Sequence, residues 1–178
     1  RQASNVKTVA LVGYTNAGKS TLLNTLTSSN VLAENRMFST LDPITRKLVL
    51  PSGENVLITD TVGFVQRLPT NLVAAFRATL EELNDADLIL HVLDVTHNRR
   101  SEQADSVEAI LREMGLASKP TLVLMNKTDV LSEDVAPYYD EGLRNFMDRF
   151  HLSVFCSGIT GVGKDDILGK IDRLVANG

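Results

Sequence analysis

The strongest chemical signal in the sequence is a glycine-bounded loop at positions 13–20, which reads GYTNAGKS. An apolar run precedes it and a helix-forming run follows it, so a strand and a helix should flank a loop with the spacing of a phosphate-binding loop. Its glycines let the backbone approach a ligand closely, and its successive N–H groups would face a polyphosphate at the positive end of the helix. Lys19 would add a cation for the terminal phosphates, and Ser20 would offer a hydroxyl to Mg²⁺. The pattern therefore predicts a nucleoside triphosphate site formed by Gly13, Tyr14, Thr15, Asn16, Ala17, Gly18, Lys19, Ser20 and Thr21.

A second candidate site follows a later predicted strand, in the sequence Asp60-Thr61-Val62-Gly63. The Asp60 carboxylate could hold Mg²⁺ directly or through water, and the Gly63 N–H could approach a γ-phosphate. An aspartate at the end of a strand commonly makes only a turn. Next to a phosphate-binding loop the metal-binding interpretation is favoured, with Ser20 and Asp60 as metal ligands.

The identity of the base is predicted by Asn126-Lys127-Thr128-Asp129, which follows an apolar strand. An aspartate there can accept hydrogen bonds from N1–H and the exocyclic amino group of guanine, whereas adenine would leave the carboxylate unpaired. Asn126 would brace the loop and contact the base, and the Lys127 stem would lie along the ring. The motif favours guanine and disfavours an ATPase or a small-molecule kinase. A weaker signal follows Cys156, where backbone N–H groups of Ser157, Gly158 and Ile159 could reach the guanine carbonyl.

Length and composition are those of a globular domain. The chain has 178 residues, of which 43% are hydrophobic and 22% charged, enough for one domain with a substantial core. The net charge of −4 argues against a nucleic-acid binder that relies on a strongly basic surface, although a local RNA-docking patch stays open. The single cysteine, Cys156, excludes an internal disulfide and favours a reducing compartment. Because the chain begins at Arg1 without a methionine, residues 1–178 are interpreted as one domain excised from a longer protein.

Apolar runs of strand length alternate with segments of helical periodicity after an early β-hairpin. This order predicts a three-layer α/β sandwich around a mostly parallel sheet with one antiparallel edge strand. Ligands on such sheets bind beyond the carboxyl ends of the strands, where the motifs above are placed. His91, inside an apolar strand, is interpreted as a core or sheet-end histidine with satisfied hydrogen bonds. The predicted strands are 7–13, 44–50, 55–60, 88–94, 121–126 and 153–156, and the predicted helices are 19–28, 69–84, 101–115, 141–150 and 165–176.

These motifs, in this order, resemble the G domains of P-loop GTPases. Together with Phe38-Ser39-Thr40-Leu41-Asp42-Pro43 and Leu68-Pro69 they look like the HflX family of the Obg–HflX-like group, ribosome-associated GTPases of bacteria and organelles. The resemblance covers essentially the whole chain, as the G domain only. It implies a six-stranded P-loop GTPase fold, GTP and GDP with Mg²⁺ as ligands, and the large ribosomal subunit as partner. The sequence departs from the common pattern at Ser157-Gly158, where GTPases usually have Ser-Ala.

By the same resemblance, a switch segment before the first hairpin strand contacts the nucleotide. Thr40 would place its hydroxyl on Mg²⁺, as a third metal ligand, and its backbone on the γ-phosphate. Thr45 is a nearby rival, but it falls where the next strand should begin. The segment adds Phe38, Ser39, Thr40, Leu41 and Asp42 to the nucleotide-binding residues, next to Asp60, Thr61, Val62 and Gly63.

The implied reaction is hydrolysis of GTP to GDP and phosphate, with Lys19, Thr40, Gly63 and Asn16 as catalytic residues. Many GTPases have a water-orienting glutamine directly after the Asp-x-x-Gly glycine. This chain has Phe64 there, which cannot hydrogen-bond a water. We therefore expect slow turnover of the chain alone and stimulation by the ribosome. The alternative hypothesis is a GTP-gated binding module with negligible hydrolysis.

Several smaller expectations stay open. Asn16 resembles the asparagine of GTPases that bind K⁺ between the phosphates, but an asparagine chosen to suit a turn is an equally good interpretation. Gln66 and Arg67 could help orient water, although solvated loop residues are favoured. The isolated domain is expected to be a monomer without a membrane span. Its expected location is the cytoplasm or, in a eukaryote, the chloroplast stroma or mitochondrial matrix.

Overall fold

A six-stranded sheet lies at the centre of the chain. The computed structural model describes residues 6–27, 44–61, 81–131 and 141–176. Within these ranges the strand order is β2-β3-β1-β4-β5-β6. The strands are β1 Thr8–Gly13, β2 Ile44–Val49, β3 Asn55–Asp60, β4 Leu88–Asp94, β5 Thr121–Asn126 and β6 Ser153–Phe155. The α-helices are α1 Lys19–Thr27, α2 Arg100–Glu113, α3 Glu141–Asp148 and α4 Lys164–Ala176.

The sheet is parallel except at one edge. β1 lies between β3 and β4 and is parallel to both, and β5 and β6 continue the parallel arrangement. β2 pairs with β3 in antiparallel register. The carboxyl ends of β1, β3, β4, β5 and β6 therefore meet at one edge. The predicted mostly parallel sheet with one antiparallel edge strand is confirmed.

Helices cover both faces of the sheet, because neighbouring side chains along a strand point to opposite faces. Leu88 and Leu90 of β4 belong to a core shared with α1 and α4. Ile89 packs in a core with α2, and Leu93 in a core with α2 and α3. All seven residues of β4 are buried, as expected for a central parallel strand with helices on both sides. This arrangement gives the predicted three layers.

The element bounds differ from the predicted ones mainly at helix ends. α1, α2 and α3 each stop one or two residues before the predicted end, and β6 stops at Phe155. The predicted helix 69–84 lies outside the described residues up to position 80. Its last part, Glu81–Asp85, is a short 3₁₀ helix rather than α-helix. Short 3₁₀ helices are frequent as connectors, and this one leads into β4.

Candidate functional site

Gly13 and Gly18, at the two ends of the loop between β1 and α1, are packed against residues of β4 and β5. A Cβ on Gly13 would lie 2.6 Å from the Val92 carbonyl oxygen, and one on Gly18 would lie 2.5 Å from the Asn126 side-chain nitrogen. Gly18 also has a φ of +90°, which L side chains rarely adopt. The glycines are thus required by the packing of this loop on the sheet edge, in addition to the close ligand approach predicted for them.

The amino end of α1 presents unused backbone donors. Among the described residues, the N–H groups of Gly18, Lys19 and Ser20 have no hydrogen-bond acceptor, whereas the Ala17 N–H donates to the Tyr14 carbonyl at 3.0 Å. Free N–H groups at the positive end of a helix favour anions. These three amides are therefore suited to phosphate oxygens.

Lys19 joins the phosphate-binding loop to the end of β3. Its Nζ donates to the Asp60 Oδ1 at 2.9 Å and to the Thr61 carbonyl at 2.7 Å. The Lys19 and Asp60 side chains are 6% and 1% exposed, so the pair is shielded from solvent. The Ser20 hydroxyl donates weakly to the other Asp60 oxygen at 3.5 Å. Lys19, predicted to bind phosphate, therefore lies next to Ser20 and Asp60, predicted to bind Mg²⁺.

Asn126 connects three loops of the sheet edge. It is buried at the end of β5, where its Nδ2 donates to the Ala17 carbonyl at 2.9 Å and its Oδ1 accepts from the Gly158 N–H at 3.0 Å. Both ends of its amide are satisfied by backbone, which fixes its orientation. Asn126 therefore sets the distance between the phosphate-binding loop and the loop after β6.

Two hydrogen bonds join the loop after β5 to the loop after β6. The Asp129 Oδ1 accepts from the Ser157 hydroxyl at 2.7 Å, and Ser157 itself is buried. The Thr128 hydroxyl donates to the Cys156 carbonyl at 3.0 Å. Asp129 stays exposed, so its carboxylate is oriented by one hydroxyl and still accessible to a ligand.

Gly158 lies against the first turn of α1. A Cβ there would be 3.1 Å from the Leu22 nitrogen and 3.2 Å from the Leu22 Cα. Both are main-chain atoms, so the neighbour could not move aside easily. This contact gives a physical reason for glycine at the position where the sequence departs from Ser-Ala. Ile159, the next residue, is 74% exposed.

A sequence model of the family described as 50S ribosome-binding GTPase matches residues 8–127, which is more than half of the chain. The chain belongs to the 50S ribosome-binding GTPase family.

Relatives called GTPase HflX match more of the chain. The protein from Caldanaerobacter subterraneus subsp. tengcongensis is 43% identical over 173 residues, which are 97% of this chain and 38% of that protein. The Escherichia coli protein is 47% identical over 164 residues, which are 92% of this chain and 37% of that protein. The predicted resemblance to HflX GTPases is confirmed, and this chain spans less than half the length of those relatives.

Solved structures support the P-loop GTPase fold. A GDP complex of SsGBP has a TM-score of 0.78 at 28% identity and covers 98% of this chain and 51% of that one. A GTP-binding protein from Sulfolobus solfataricus in complex with GDP has a TM-score of 0.76 at 28% identity and covers 96% of this chain and 53% of that one.

The predicted GTPase switch residues lie outside the described residues. They are Phe38, Ser39, Thr40, Leu41, Asp42, Val62, Gly63, Phe64, Gln66 and Arg67. The rival Thr45 lies within β2, where its hydroxyl is 3.1 Å from the Thr59 hydroxyl. Its place in a paired strand agrees with the reason for preferring Thr40.

Sequence reasoning missed one acidic residue at the carboxyl edge of the sheet. Asp94 ends β4 and lies next to Asn126 in the β4–β5 register. Its Oδ2 lies 3.2 Å from the Lys127 Nζ, which also donates to the Asn16 carbonyl. The available signal was an acid directly after an apolar strand, at the sheet edge where ligands bind.

Two titratable groups lie in the core. Burial, with a smaller contribution from the Arg149 charge, lowers the pKa of His91 to about 3. The His91 Nε2 has no hydrogen-bond partner among the residues that the structure describes, so the prediction of a histidine with satisfied hydrogen bonds is wrong at this atom. Burial raises the pKa of the Cys156 thiol to about 12.

The described residues include no acidic, histidine or cysteine cluster suited to a metal ion and no helix suited to a membrane. His97, His151 and Cys156 do not form a metal cluster, and in the ranges between 6 and 176 that the structure describes no group of three or more His, Cys, Asp or Glu could hold a metal ion. No helix within those ranges is long and apolar enough to cross a membrane.

Proposed function

We propose that this chain is a guanine-nucleotide-binding switch that hydrolyses GTP to GDP and phosphate. The observation that carries the proposal is the convergence of three loops at the carboxyl edge of the sheet. Asn126 hydrogen-bonds both the phosphate-binding loop and the loop after β6, which supports the proposal that a base-binding carboxylate and a phosphate-binding loop act on one ligand. Membership of a GTPase family supports the same ligand.

Base selection is assigned to Asp129. Its carboxylate, oriented by Ser157, would accept from the N1–H and amino group of guanine, whereas adenine has an acceptor at N1 and no amino group beside it. Sites built on such hydrogen bonds reject the wrong partner strongly, because a polar group is left unpaired. ADP should therefore compete poorly for the site.

The test of this assignment is Asp129→Asn. We expect GDP affinity to fall about 100-fold and xanthosine diphosphate affinity to rise, because an amide N–H can donate to the carbonyl that replaces the guanine amino group. Competition with a fluorescent GDP analogue measures both. Equal competition by ADP and GDP for the unmodified chain would contradict the proposal.

The phosphate and metal assignments rest on the donor chemistry of the described residues. A hydroxyl and a carboxylate, from Ser20 and Asp60, are the hard oxygen ligands that Mg²⁺ prefers, and they lie close together. Bound Mg²⁺ supplies charge neutralisation to the phosphates. The Lys19 ammonium would contact the terminal phosphates, and the free N–H groups of Gly18, Lys19 and Ser20 would bind their oxygens. Thr40 is proposed as the third metal ligand.

For hydrolysis we propose slow turnover, because Phe64 occupies the position of a water-orienting glutamine. Gly63 would contact the γ-phosphate through its backbone, and Asn16 would hold K⁺ beside the phosphates. Multiple-turnover phosphate release, compared in KCl and NaCl, tests both statements. Equal rates would remove the K⁺ assignment, and no turnover in either salt would favour the GTP-gated binding module.

The partner proposed for the complete protein is the large ribosomal subunit, in the cytoplasm of a bacterium. The family description and the HflX names of bacterial relatives support this. Phosphate release by the full-length protein should rise when 50S subunits are added. An unchanged rate, with 30S subunits as control, would count against ribosomal stimulation.

A further inference from the structure

Asp94 is a nearly buried carboxylate that is fully engaged at the nucleotide-facing edge of the sheet. It is 9% exposed. Its Oδ1 accepts from the backbone N–H and the hydroxyl of Thr96, and its Oδ2 pairs with the Lys127 ammonium at 3.2 Å. The two Thr96 bonds fix the orientation of the carboxylate, so its second oxygen has one direction in which to hold a partner.

The Lys127 ammonium lies between Asp94 and the phosphate-binding loop. Besides the Asp94 pair, it donates to the Asn16 carbonyl. Lys127 has a φ of +71° and is the only non-glycine residue with positive φ in the described ranges. Few lysines adopt this backbone conformation, and it persists only where the surroundings hold it in place. The contacts of the ammonium are part of those surroundings.

We infer that Asp94 is a positioning residue for the guanine site, acting through Lys127. By holding the ammonium, Asp94 keeps the four-carbon stem of Lys127 extended from the loop after β5 toward the phosphate-binding loop. In that position the stem can cover one face of the base. This inference rests on the proposed guanine-binding function. Because the stem contacts the face of the ring and not its edge, Asp94 contributes to affinity without reading the exocyclic amino group.

The inference predicts a specific pattern of nucleotide affinities. Asp94→Asn should weaken GDP binding about tenfold, since an amide N–H would face the ammonium in place of a carboxylate oxygen. Inosine diphosphate, which lacks the amino group, should lose the same factor. Asp105→Asn is the matched control: it removes the same charge from a surface pair with Arg149 and should leave both affinities unchanged.

A double-mutant cycle with Lys127→Met separates positioning from general destabilisation. Methionine keeps an apolar stem but lacks the ammonium, so Lys127→Met alone should also cost about tenfold in GDP affinity. In that background Asp94→Asn should change affinity by less than about twofold, because its partner is gone. Displacement of a fluorescent GDP analogue at fixed Mg²⁺ and salt measures all four chains.

Each outcome bears on a defined statement. Additive losses in the cycle, or a change in the ratio of GDP to inosine diphosphate affinity, would overturn the role of Asp94 and leave guanine binding intact. Failure of the unmodified chain to bind GDP would overturn the proposed function as well. If Asp94→Asn does not fold, Lys127→Met remains informative: unchanged GDP affinity in that variant would overturn the inference, and a tenfold loss would support it.

Discussion

Gly158 and Gly169 are two glycines in opposite surroundings. A Cβ at Gly158 would crowd the main chain of Leu22 in α1, whereas one at Gly169, within α4, would meet nothing within 4 Å. We expect Gly158→Ala to lower the free energy of unfolding by about 1 kcal/mol through crowding. Gly169→Ala should raise it by about 0.5–1 kcal/mol, because alanine favours the helix. Urea denaturation of both variants measures the pair, and a stabilised Gly158→Ala would show that α1 can move away.

At the residue scale, motif spacing led us to expect Lys19, Ser20 and Asp60 at one edge of the sheet, and these three side chains lie together there. The sequence could not predict which atoms pair within that group. Lys19 was assigned to phosphates from its position in the loop, and its bond to Asp60, 41 residues away, depends on side-chain geometry. Asp94 follows an apolar run in the sequence, but its place beside Asn126 becomes visible in the β4–β5 register.

At the scale of elements, the edge hairpin is fastened to α4 by one carboxylate. Asp172 accepts from the Ser52 N–H and from the Ser52 hydroxyl, both at 2.8 Å, and so holds the β2–β3 turn. We expect Asp172→Ala to speed amide hydrogen exchange at the turn about fivefold, corresponding to about 1 kcal/mol of lost local stability.

The control for the hairpin is on the same helix. Asp166 pairs with Lys170 at 2.7 Å, within α4 itself. Asp166→Ala should leave exchange in the hairpin unchanged, as measured by mass spectrometry of peptides spanning residues 44–60. Equal acceleration in the two variants would mean that α4 has frayed and that the Ser52 contact is not responsible.

Element types followed from the sequence because long apolar runs with clear boundaries leave few alternatives. The bounds of β4 and β5 agree with prediction, since each is an apolar run that ends in a polar residue, Asp94 or Asn126. Helix ends were less certain, because one or two terminal residues are set by capping and local turns and not by periodicity. α2 is an example, since it ends at Glu113 and not at the predicted Gly115.

At the scale of the whole molecule, His91 links stability to pH. Burial lowers its pKa from 6.5 to about 3, so between these values the unfolded chain binds a proton that the folded chain does not. The contribution of neutral His91 to the free energy of unfolding is fully present above pH 6.5. On acidification from pH 6.5 toward pH 3 this contribution falls by up to about 1.4 kcal/mol per pH unit.

His91→Leu should remove this part of the pH dependence. The difference in free energy of unfolding between the two chains should shift in favour of the variant as pH falls from about 6.5 to 3. At pH 7 the substitution should cost little, because it also removes an unpaired buried nitrogen. Urea titrations at several pH values measure the difference. His151→Gln, at an exposed position, should keep the slope, and an unchanged slope in His91→Leu would contradict the assignment.

The burial of the Cys156 thiol makes the chain suitable for attaching dyes at introduced cysteines. Cys156 is the single cysteine of the chain, it is fully buried, and burial holds its pKa near 12, so almost none of the reactive thiolate forms at neutral pH. Maleimide dyes will therefore attach to introduced cysteines while the native thiol stays unlabelled. Val49 in β2 and Val130 in the loop after β5 have side chains that are 58% and 62% exposed. A dye pair at these two positions would report nucleotide-dependent distance changes across the sheet by single-molecule energy transfer, in an otherwise native chain.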